Sequence, residues 1–510
     1  MIHWEELIVI MKNFIEFIKK NPEMVICSIV SLFFCYGFRI FNYSITIDSV
    51  SMAVDYDLMF NTFISSGRFG YALTKKLFGL NQLDSNFSLI LMGITILLYS
   101  YVMCYVFNTL NKVKTMHKLQ NIVFTTMFIS APIFAEQYNY TLQSFEIAFA
   151  MLLLAISLYL SVVGITENKR LLNILSILLL TYAVATYQSF VVLYISGAIS
   201  CYLYISEYST KKQCHNFALK QLLIWGASLV LYYILNFIIQ SMTGMRNTYV
   251  GSLILWKTEG IKMCVKNLSY FIFSVMSGKG IFYNSTYIVI TIGLICYSIK
   301  VFKEKREAWI LNIVAIIGLL LSPFLISILM GTAGPIRAQM AIPFVTAFGL
   351  SFLLRYLKQN RAIKFIVITY CFFSVFQQCK ETSQLFYSDY MRYNQDVQLA
   401  TEIGYDIQKN YPNENNNLPV IFVGWHQTQL PPSCVKGEII GHSFFEWGHN
   451  SPWGNLPYLL QFFNSLGFRF TPGVVDSAEL ESTIKNMDTW PKENSIKLIN
   501  DVVVVKLSDE

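Results

Sequence analysis

Long hydrophobic runs fill about the first three quarters of the chain. A helix needs about 20 mostly apolar residues to cross the hydrocarbon core of a bilayer. Stretches of roughly that length lie at 24–42, 87–110, 119–135, 143–163, 171–186, 188–205, 218–240, 282–301, 309–330, 338–354 and 362–378. The pattern therefore predicts a polytopic α-helical membrane domain with about eleven spans over residues 1–378.

After residue 378 the pattern changes to that of an ordinary soluble domain. It predicts a helix, a buried strand, a second helix and a closing pair of strands. The indications are Leu399, Ile403 and Ile407 at helical spacing, the apolar run 419–425, Asp476 three residues before Glu479, and the apolar runs on both sides of Asn500-Asp501. Residues 379–510 are therefore expected to form a small α/β domain.

Basic residues collect in alternate loops between the predicted spans. They are Lys12, Lys19 and Lys20 before the first span, then Lys112, Lys114 and Lys118; Lys169 and Arg170; Lys211 and Lys212; Lys303, Lys305 and Arg306; and Arg355, Lys358, Arg361 and Lys364. Positively charged loops stay in the cytoplasm, so we expect a cytoplasmic N-terminus and, after an odd number of spans, an extracytoplasmic tail. The composition agrees, since 54% of the residues are hydrophobic and only 14% are charged.

Long loops outside the cytoplasm are functional more often than short connections are. In this topology they lie at about 43–86 and 241–281. The first carries Asp48 directly after the first span, followed by Asp55, Asp57 and Arg68. A carboxylate at the membrane face can take a proton from a hydroxyl group if its environment tunes its pKa. The alternative is that these acids are ordinary surface residues, and Asp57 also suits a helix start.

A second group of polar residues lies at the external ends of other predicted spans. Its members are Glu136 and Gln137 after the third span, Tyr187 and Gln188 between the fifth and sixth, and Arg337 and Gln339 at the start of the tenth. Ionisable groups at membrane depth are costly and by default mark a functional site. The alternative is interfacial anchoring by snorkelling side chains. It explains single residues better than a set that combines an acid, amides, a phenol and an arginine.

The signatures of several other enzyme classes are missing from the sequence. It has no P-loop, no GxGxxG after a strand, no GxSxG and no HExxH, which argues against nucleotide-driven and metalloprotease chemistry. An acid, an arginine and aromatic residues together suit transfer of a sugar from a lipid phosphate. The acid can deprotonate the acceptor hydroxyl while the arginine binds the leaving phosphate. No cofactor is expected, and the need for a divalent cation is left open.

Through several of these residues the chain resembles a known family, the serotype-converting O-antigen glucosyltransferases. The shared features are Asp48 followed by Ser66-Gly67-Arg68-Phe69, Pro132 with Glu136-Gln137, Tyr187-Gln188, Arg337, and Asp389, Arg392 and Asp396 after the last span. The resemblance implies a protein of the bacterial inner membrane with the C-type glycosyltransferase architecture. Such a protein moves glucose or another sugar from a polyprenyl-phosphate carrier onto a cell-surface polysaccharide, with inversion, outside the cytoplasm.

The resemblance also implies a catalytic base. Glycosyltransferases of this architecture use an acid of the first external loop, and Asp48 is the matching position. Related proteins often have two adjacent acids there, whereas Ser49 follows Asp48 here, so Asp55 or Asp57 stays open as its partner or as the base. The candidates for binding the donor phosphate are Arg337 and Arg68, and those for binding sugar are Glu136, Gln137, Tyr187, Gln188 and Gln339.

In the tail, His442 and Trp447 belong to an aromatic and polar segment that suits carbohydrate contact. We expect this segment to bind the acceptor; the alternative is that its aromatic residues close the core of the domain. The expected partners are a polyprenyl-phosphate-linked sugar, a polysaccharide or lipid-linked acceptor and membrane lipids, with no nucleic acid.

Two other functions share this compartment. A lipid-linked sugar flippase or transporter would have broken helices or inverted repeats. A polysaccharide polymerase would join whole repeat units rather than transfer a single sugar.

Overall fold

The computed structural model describes residues 4–79, 85–111, 118–245, 249–304, 308–356, 361–412, 417–447 and 456–509. Outside these ranges lie Lys112, Lys114, Lys305, Arg306 and Lys358 of the predicted cytoplasmic loops, and residues 80–84 and 246–248 of the predicted external loops. The described chain is mostly helical, with a small sheet near the C-terminus.

Helices are numbered here in chain order. They are α1 (Trp4–Lys20), α2 (Pro22–Phe41), α3 (Ile47–Val54), α4 (Tyr56–Ser65), α5 (Phe69–Phe78), α6 (Ser85–Leu110), α7 (Lys118–Ile129), α8 (Ile133–Tyr138), α9 (Ser144–Thr166), α10 (Arg170–Thr186), α11 (Phe190–Ile205), α12 (Lys211–Thr243), α13 (Tyr249–Ser252), α14 (Gly260–Ser277), α15 (Thr286–Lys303), α16 (Trp309–Leu321), α17 (Leu325–Met330), α18 (Ala341–Leu353), α19 (Arg361–Asn410), α20 (Leu456–Ser465) and α21 (Ser477–Ile484). The strands are β1 (Leu418–Val423), β2 (Phe470–Pro472), β3 (Ile496–Ile499) and β4 (Val502–Lys506).

Among the described residues, seven helical stretches are long and apolar enough to cross a membrane. They are Pro22–Phe41, Ser85–Leu110, Thr141–Thr166, Lys211–Thr243, Thr286–Lys303, Trp309–Met330 and Arg361–Asn410. Shorter apolar helices occupy Arg170–Thr186, Phe190–Ile205 and Ala341–Tyr356. The expectation of a mostly helical protein with several candidate membrane helices is confirmed, while the number of about eleven spans stays a prediction.

Large apolar side chains are exposed on several of these helices. On α12, Leu222, Leu223 and Tyr233 are exposed, and on α19 Phe372 and Phe373 are exposed. Contiguous apolar surface of this kind is unusual in a soluble monomer, whereas lipid tails are as apolar as the side chains themselves. The exposed faces therefore indicate a membrane protein.

Two breaks divide the hydrophobic stretches near the predicted site. α10 ends at Thr186 and α11 begins at Phe190, so the turn predicted at Tyr187-Gln188 is confirmed. The predicted third span is interrupted, because α7 ends at Ile129 and α8 starts only after Pro132. Proline lacks the N–H that would continue the helical ladder and its ring clashes with the preceding turn.

The chain folds into two compact units. The first consists of Met1–Ile40, Asn61–Tyr138 and Gln143–Ser383, and the second of Phe41–Phe60, Asn139–Leu142 and Gln384–Glu510. The segment that carries Asp48 thus belongs to the same unit as the tail.

The second unit contains a four-stranded sheet in the order β2-β1-β4-β3. β1 pairs in parallel with β2 and β4, while β3 and β4 form an antiparallel hairpin. The hairpin turns at Asn500 and Asp501, whose φ angles of 47° and 65° match a two-residue type I′ turn. Asp476 caps α21 by accepting the backbone N–H groups of Ala478 and Glu479. The strand, the capped helix and the hairpin predicted in the tail are therefore present. The helix α20 and the strand β2 were not predicted, and the predicted tail helix is the end of α19, which runs unbroken from Arg361.

One hydrophobic core holds the second unit together. Ile403 and Ile407 of α19 pack with strand residues such as Val420 and Val503. Ile47 and Val50 of α3 belong to the same core. Because these two residues lie on one face of α3, burying them fixes how the helix is rotated and where its polar residues point.

Candidate functional site

Asp48 lies in the first turn of α3, with Thr46 at the N-cap position. It is partly buried, between the fully buried residues Ile47 and Ser49. The positive end of the helix dipole favours negative charge in a first turn. The first turn of α3 is therefore a favourable place for the negative charge that Asp48 carries when it is ionised.

A buried group of three charges on α19 lies beside the residues that lead into α3. Arg392 pairs with Asp389 at 2.8 Å and with Asp396 at 3.3 Å, and all three side chains are almost completely buried. Ser44 donates a hydrogen bond to Asp389 at 2.7 Å, and Arg392 donates one to the carbonyl oxygen of Ile45 at 3.1 Å. We call Asp389, Arg392 and Asp396 the charge triad; it holds the chain just before Asp48.

Asp55 and Asp57, the alternative acids of the first loop, are both exposed. Asp55 accepts the backbone N–H of Leu58 at 3.0 Å and so caps the start of α4. Asp57 lies in the first turn of α4, where an acid is favourable for the helix itself. Both positions therefore have a structural explanation of their own.

In the first unit, three of the predicted residues form one cluster. The Arg68 guanidinium lies over the Tyr187 ring, 5.1 Å from its centre, and Arg68 Nε donates to Gln188 Oε1 at 3.4 Å. Gln188 also donates to the carbonyl oxygen of Ser66 at 3.0 Å and to the Tyr232 hydroxyl at 3.2 Å. Tyr187 is buried, whereas Arg68 is only partly so. The cluster therefore presents a cation on an aromatic surface, an arrangement suited to a phosphate that carries a sugar.

Close backbone packing makes this cluster possible. Gly67 has a φ of +78°, and a Cβ there would lie 2.7 Å from the Tyr232 hydroxyl. A Cβ on Gly70 would lie 2.8 Å from the backbone nitrogen of Thr186 and from the backbone oxygen of Tyr182. Gly70 thus lets the start of α5 approach the end of α10, next to Tyr187, and Gly67 lets the chain before α5 approach Tyr232 of α12.

The remaining predicted residues of the first unit lie on two elements that pack together. Glu136 and Gln137 are buried on α8, which contacts the 3₁₀ turn Ile336–Ala338 that contains Arg337. Arg337 itself is partly buried. The structure therefore brings an acid-bearing helix and an arginine-bearing turn to one place.

Gln339 follows this turn and is held by several hydrogen bonds. It accepts from the Tyr283 hydroxyl at 2.7 Å and donates to the carbonyl oxygens of Ala333 at 3.2 Å and Gly334 at 3.3 Å. Tyr283 also lines a small cleft of about 20 Å³. The other lining residues include Ile133, Asn284, Pro343, Thr346 and Gln378. This volume holds little more than a water molecule, so the cleft is far smaller than an ordinary ligand pocket.

In the second unit, His442 and Trp447 lie on a loop organised by Glu446. Glu446 Oε1 is 2.7 Å from His442 Nδ1 and accepts from Lys436 Nζ at 3.0 Å. Burial raises the pKa of Glu446, but hydrogen bonds from His442 and Lys436 outweigh it, so the pKa lies below the ordinary value. His442 and Trp447 are only partly buried and their rings are 6.5 Å apart, edge to face. The loop therefore offers an imidazole beside an indole, a surface suited to a sugar.

Some residues of these sites have no obvious signal in the sequence. Lys75 and Glu146 form an ion pair of 2.7 Å with both side chains buried in the first unit. Tyr232, Tyr283 and Glu446 hold predicted residues in place. Glu146 is the exception among them, because a charge within an apolar run is visible in the sequence. Within the described ranges, no group of three His, Cys, Asp or Glu side chains could hold a metal ion.

A mostly helical protein with several candidate membrane helices is compatible with a membrane glycosyltransferase. The family model for glucosyl transferase GtrII matches residues 37–354, and the chain belongs to this family. Membership confirms the resemblance seen in the sequence and indicates a glucosyltransferase acting in O-antigen modification, with a sugar donor and an acceptor. No curated protein and no solved structure matches the chain.

Proposed function

We propose that this glucosyltransferase takes glucose from a polyprenyl-phosphate carrier and attaches it to O-antigen or another cell-wall glycan, with inversion. The observation that supports this most directly is the local structure of Asp48. It is a carboxylate in the first turn of α3, close after the apolar helix α2, and the residues before it are bound by the charge triad. A base that follows an apolar helix closely in the chain suits a donor whose lipid lies in the bilayer.

In this mechanism Asp48 accepts the proton of an acceptor hydroxyl group. The hydroxyl oxygen attacks the anomeric carbon of the donor sugar on the face opposite the phosphate. The bond between that carbon and the phosphate oxygen breaks, and polyprenyl phosphate leaves with the electron pair. Arg68 and Arg337 bind the phosphate and neutralise the charge that develops on it. Attack from the opposite face inverts the anomeric centre.

The other predicted residues bind the two sugars. We assign the donor sugar to Tyr187 and Gln188, because they lie beside Arg68. Glu136 and Gln137 are added because α8 contacts the turn that contains Arg337, and Gln339 because it directly follows that turn. We assign the acceptor to His442 and Trp447, because their rings are partly exposed. Aromatic faces and amides suit sugars, which have apolar C–H faces and many hydroxyl groups.

We further propose about eleven spans in a C-type architecture, in the bacterial cytoplasmic membrane. Residues 1–378 would form the membrane domain, with a cytoplasmic N-terminus, and 379–510 the extracytoplasmic domain. Alkaline phosphatase is active only outside the cytoplasm. A fusion after residue 510 is therefore expected to be active, and a fusion after Lys212 inactive. An inactive fusion at 510 would contradict the odd number of spans.

The assay that tests the function uses the purified full chain in liposomes with polyprenyl-phosphate glucose and an O-antigen polysaccharide. We expect one glucose to be added per acceptor site, with release of polyprenyl phosphate. Movement of the intact donor across the bilayer without transfer would instead identify a flippase. Growth of the polysaccharide by whole repeat units would identify a polymerase.

A further inference from the structure

Two loops of the second unit bind to the same three charged side chains of α19. The first loop leads into α3 and donates Ser44 Oγ to Asp389, while the carbonyl oxygen of Ile45 accepts from Arg392. This loop ends three residues before Asp48.

The second loop contains His442 and contacts the charge triad mainly through Asp396. Ser443 Oγ donates to Asp396 Oδ1 at 2.6 Å, and the backbone N–H of Phe444 donates to Asp396 Oδ2 at 3.1 Å. The N–H of Gly441 donates to Asp389 at 3.4 Å. The candidate base and the candidate acceptor loop are therefore both tied to one buried group of charges.

Stability alone is a weak explanation for this arrangement. Replacing a buried ion pair by apolar residues of similar volume is often neutral or stabilising, so such a pair is poor evidence for a stabilising role. The hydrogen bonds between the charge triad and the two loops suggest a better explanation. Buried charges need hydrogen bonds as well as an opposite charge, and here the two loops supply some of them. A shift of either loop would therefore remove hydrogen bonds from buried charges. The charge triad thus restricts both loops to one position.

We propose that Asp389, Arg392 and Asp396 are positioning residues that hold the base segment at Asp48 and the acceptor loop at His442 in a fixed relation within the second unit. This inference rests on the proposed function of Asp48 and His442. It assigns a different kinetic role to the contacts that each loop makes with the charge triad. Contacts with Ser44 set the rate of the chemical step, and contacts with Ser443 set acceptor binding.

Two substitutions that each remove a single hydroxyl group separate these roles. We expect Ser44→Ala to lower kcat about tenfold and to leave the KM of the O-antigen acceptor nearly unchanged, which corresponds to losing one hydrogen bond to a charged group. Ser443→Ala should raise the acceptor KM about tenfold, with a smaller effect on kcat. Ser44→Thr and Ser443→Thr keep the hydroxyl group and should recover most of each loss.

Thr401→Val is the matched control. Thr401 is also on α19, but its hydroxyl donates only to the carbonyl oxygen of Val397 in the same helix. We expect wild-type kcat and KM for this variant. Equal changes of kcat and KM in both serine variants, or wild-type kinetics in both, would overturn the proposal.

Hydrogen–deuterium exchange provides a readout that does not depend on activity. Ser44→Ala should increase exchange over residues 42–50, and Ser443→Ala over 439–447, while β4 keeps its protection. Unchanged exchange in both segments would contradict the positioning role. If the wild-type protein transfers no glucose from polyprenyl-phosphate glucose, the proposed function fails, but the exchange result still decides whether the charge triad holds the two loops.

Discussion

The guanidinium group of Arg68 lies over the ring of Tyr187, 5.1 Å from its centre. Arg68 directly precedes α5, and Tyr187 directly follows α10, so the contact joins the start of one helix to the end of another. Gln188 strengthens it by accepting from Arg68 and donating to Ser66. The planar guanidinium group of an arginine offers paired N–H groups that suit bidentate contact with a phosphate.

Arg68→Lys tests this geometry while keeping the positive charge. Lysine is a point charge without the planar fork, so we expect the donor KM to rise about tenfold. Tyr187→Phe keeps the ring under the guanidinium and should change the donor KM much less than Tyr187→Leu does. The measurement is the KM for polyprenyl-phosphate glucose in the transfer assay. A wild-type KM in Arg68→Lys would show that Arg68 does not bind the donor phosphate.

Gly70→Ala tests the close approach of α5 and α10. The new Cβ would meet backbone atoms of Tyr182 and Thr186, which cannot move aside as a flexible side chain could. Overpacking of this kind costs about 1–3 kcal/mol, so thermal unfolding in detergent should start at a lower temperature.

Gly226→Ala is the control for this substitution, because a Cβ on Gly226 would have no atom within 4 Å. It lies on α12, where alanine is a better helix former than glycine. We expect an unchanged or slightly higher Tm. Equal Tm values for the two alanine variants would show that α5 and α10 are not packed as described.

Lowering the pH should destabilise the protein through Glu446, which organises the loop that contains His442. Since the folded-state pKa of Glu446 is lowered, its contribution to stability is fully present above the unfolded-state pKa. It is lost as the pH falls through the folded-state value. We therefore expect the wild-type protein to lose more stability than Glu446→Gln when the pH is lowered from about 6 to about 3.

The readout for Glu446 is the Tm of both proteins across this pH range. His442 and Lys436 both contact Glu446, so Lys436→Met should reduce the pH dependence in the same direction. Parallel Tm curves for the wild type and Glu446→Gln would contradict the account.

The elements of the tail could be predicted from the sequence because their signals are local. Asp476 caps the helix that begins at the next residue, and Asn500-Asp501 form the turn at their own position in the chain. The turn at Tyr187-Gln188 was predicted by length and charge alternation, which are also visible along the chain. These features need no knowledge of what the segment packs against.

The contacts of the site could not be predicted in the same way. Arg68 meets Tyr187, Lys75 meets Glu146, and Ser44 meets Asp389 only after the chain has folded. Each pair joins segments far apart in sequence, and a single sequence contains no record of which distant residues meet. Similarly, α3 lies next to a membrane helix in sequence, yet its Ile47 and Val50 complete the core of the second unit.

Asp48→Asn tests the central claim most directly. The amide has the same shape but cannot accept the proton, so removing a general base of this kind should slow glucose transfer about 10²–10⁴-fold. Asp57→Asn, an exposed acid of the same segment, is the matched control and should transfer at nearly the wild-type rate. The measurement is the initial rate of glucose transfer from polyprenyl-phosphate glucose to O-antigen, with Tm confirming that both variants fold. The account predicts a severe loss in Asp48→Asn alone; a wild-type rate in that variant, or an equal loss in Asp57→Asn, would contradict it.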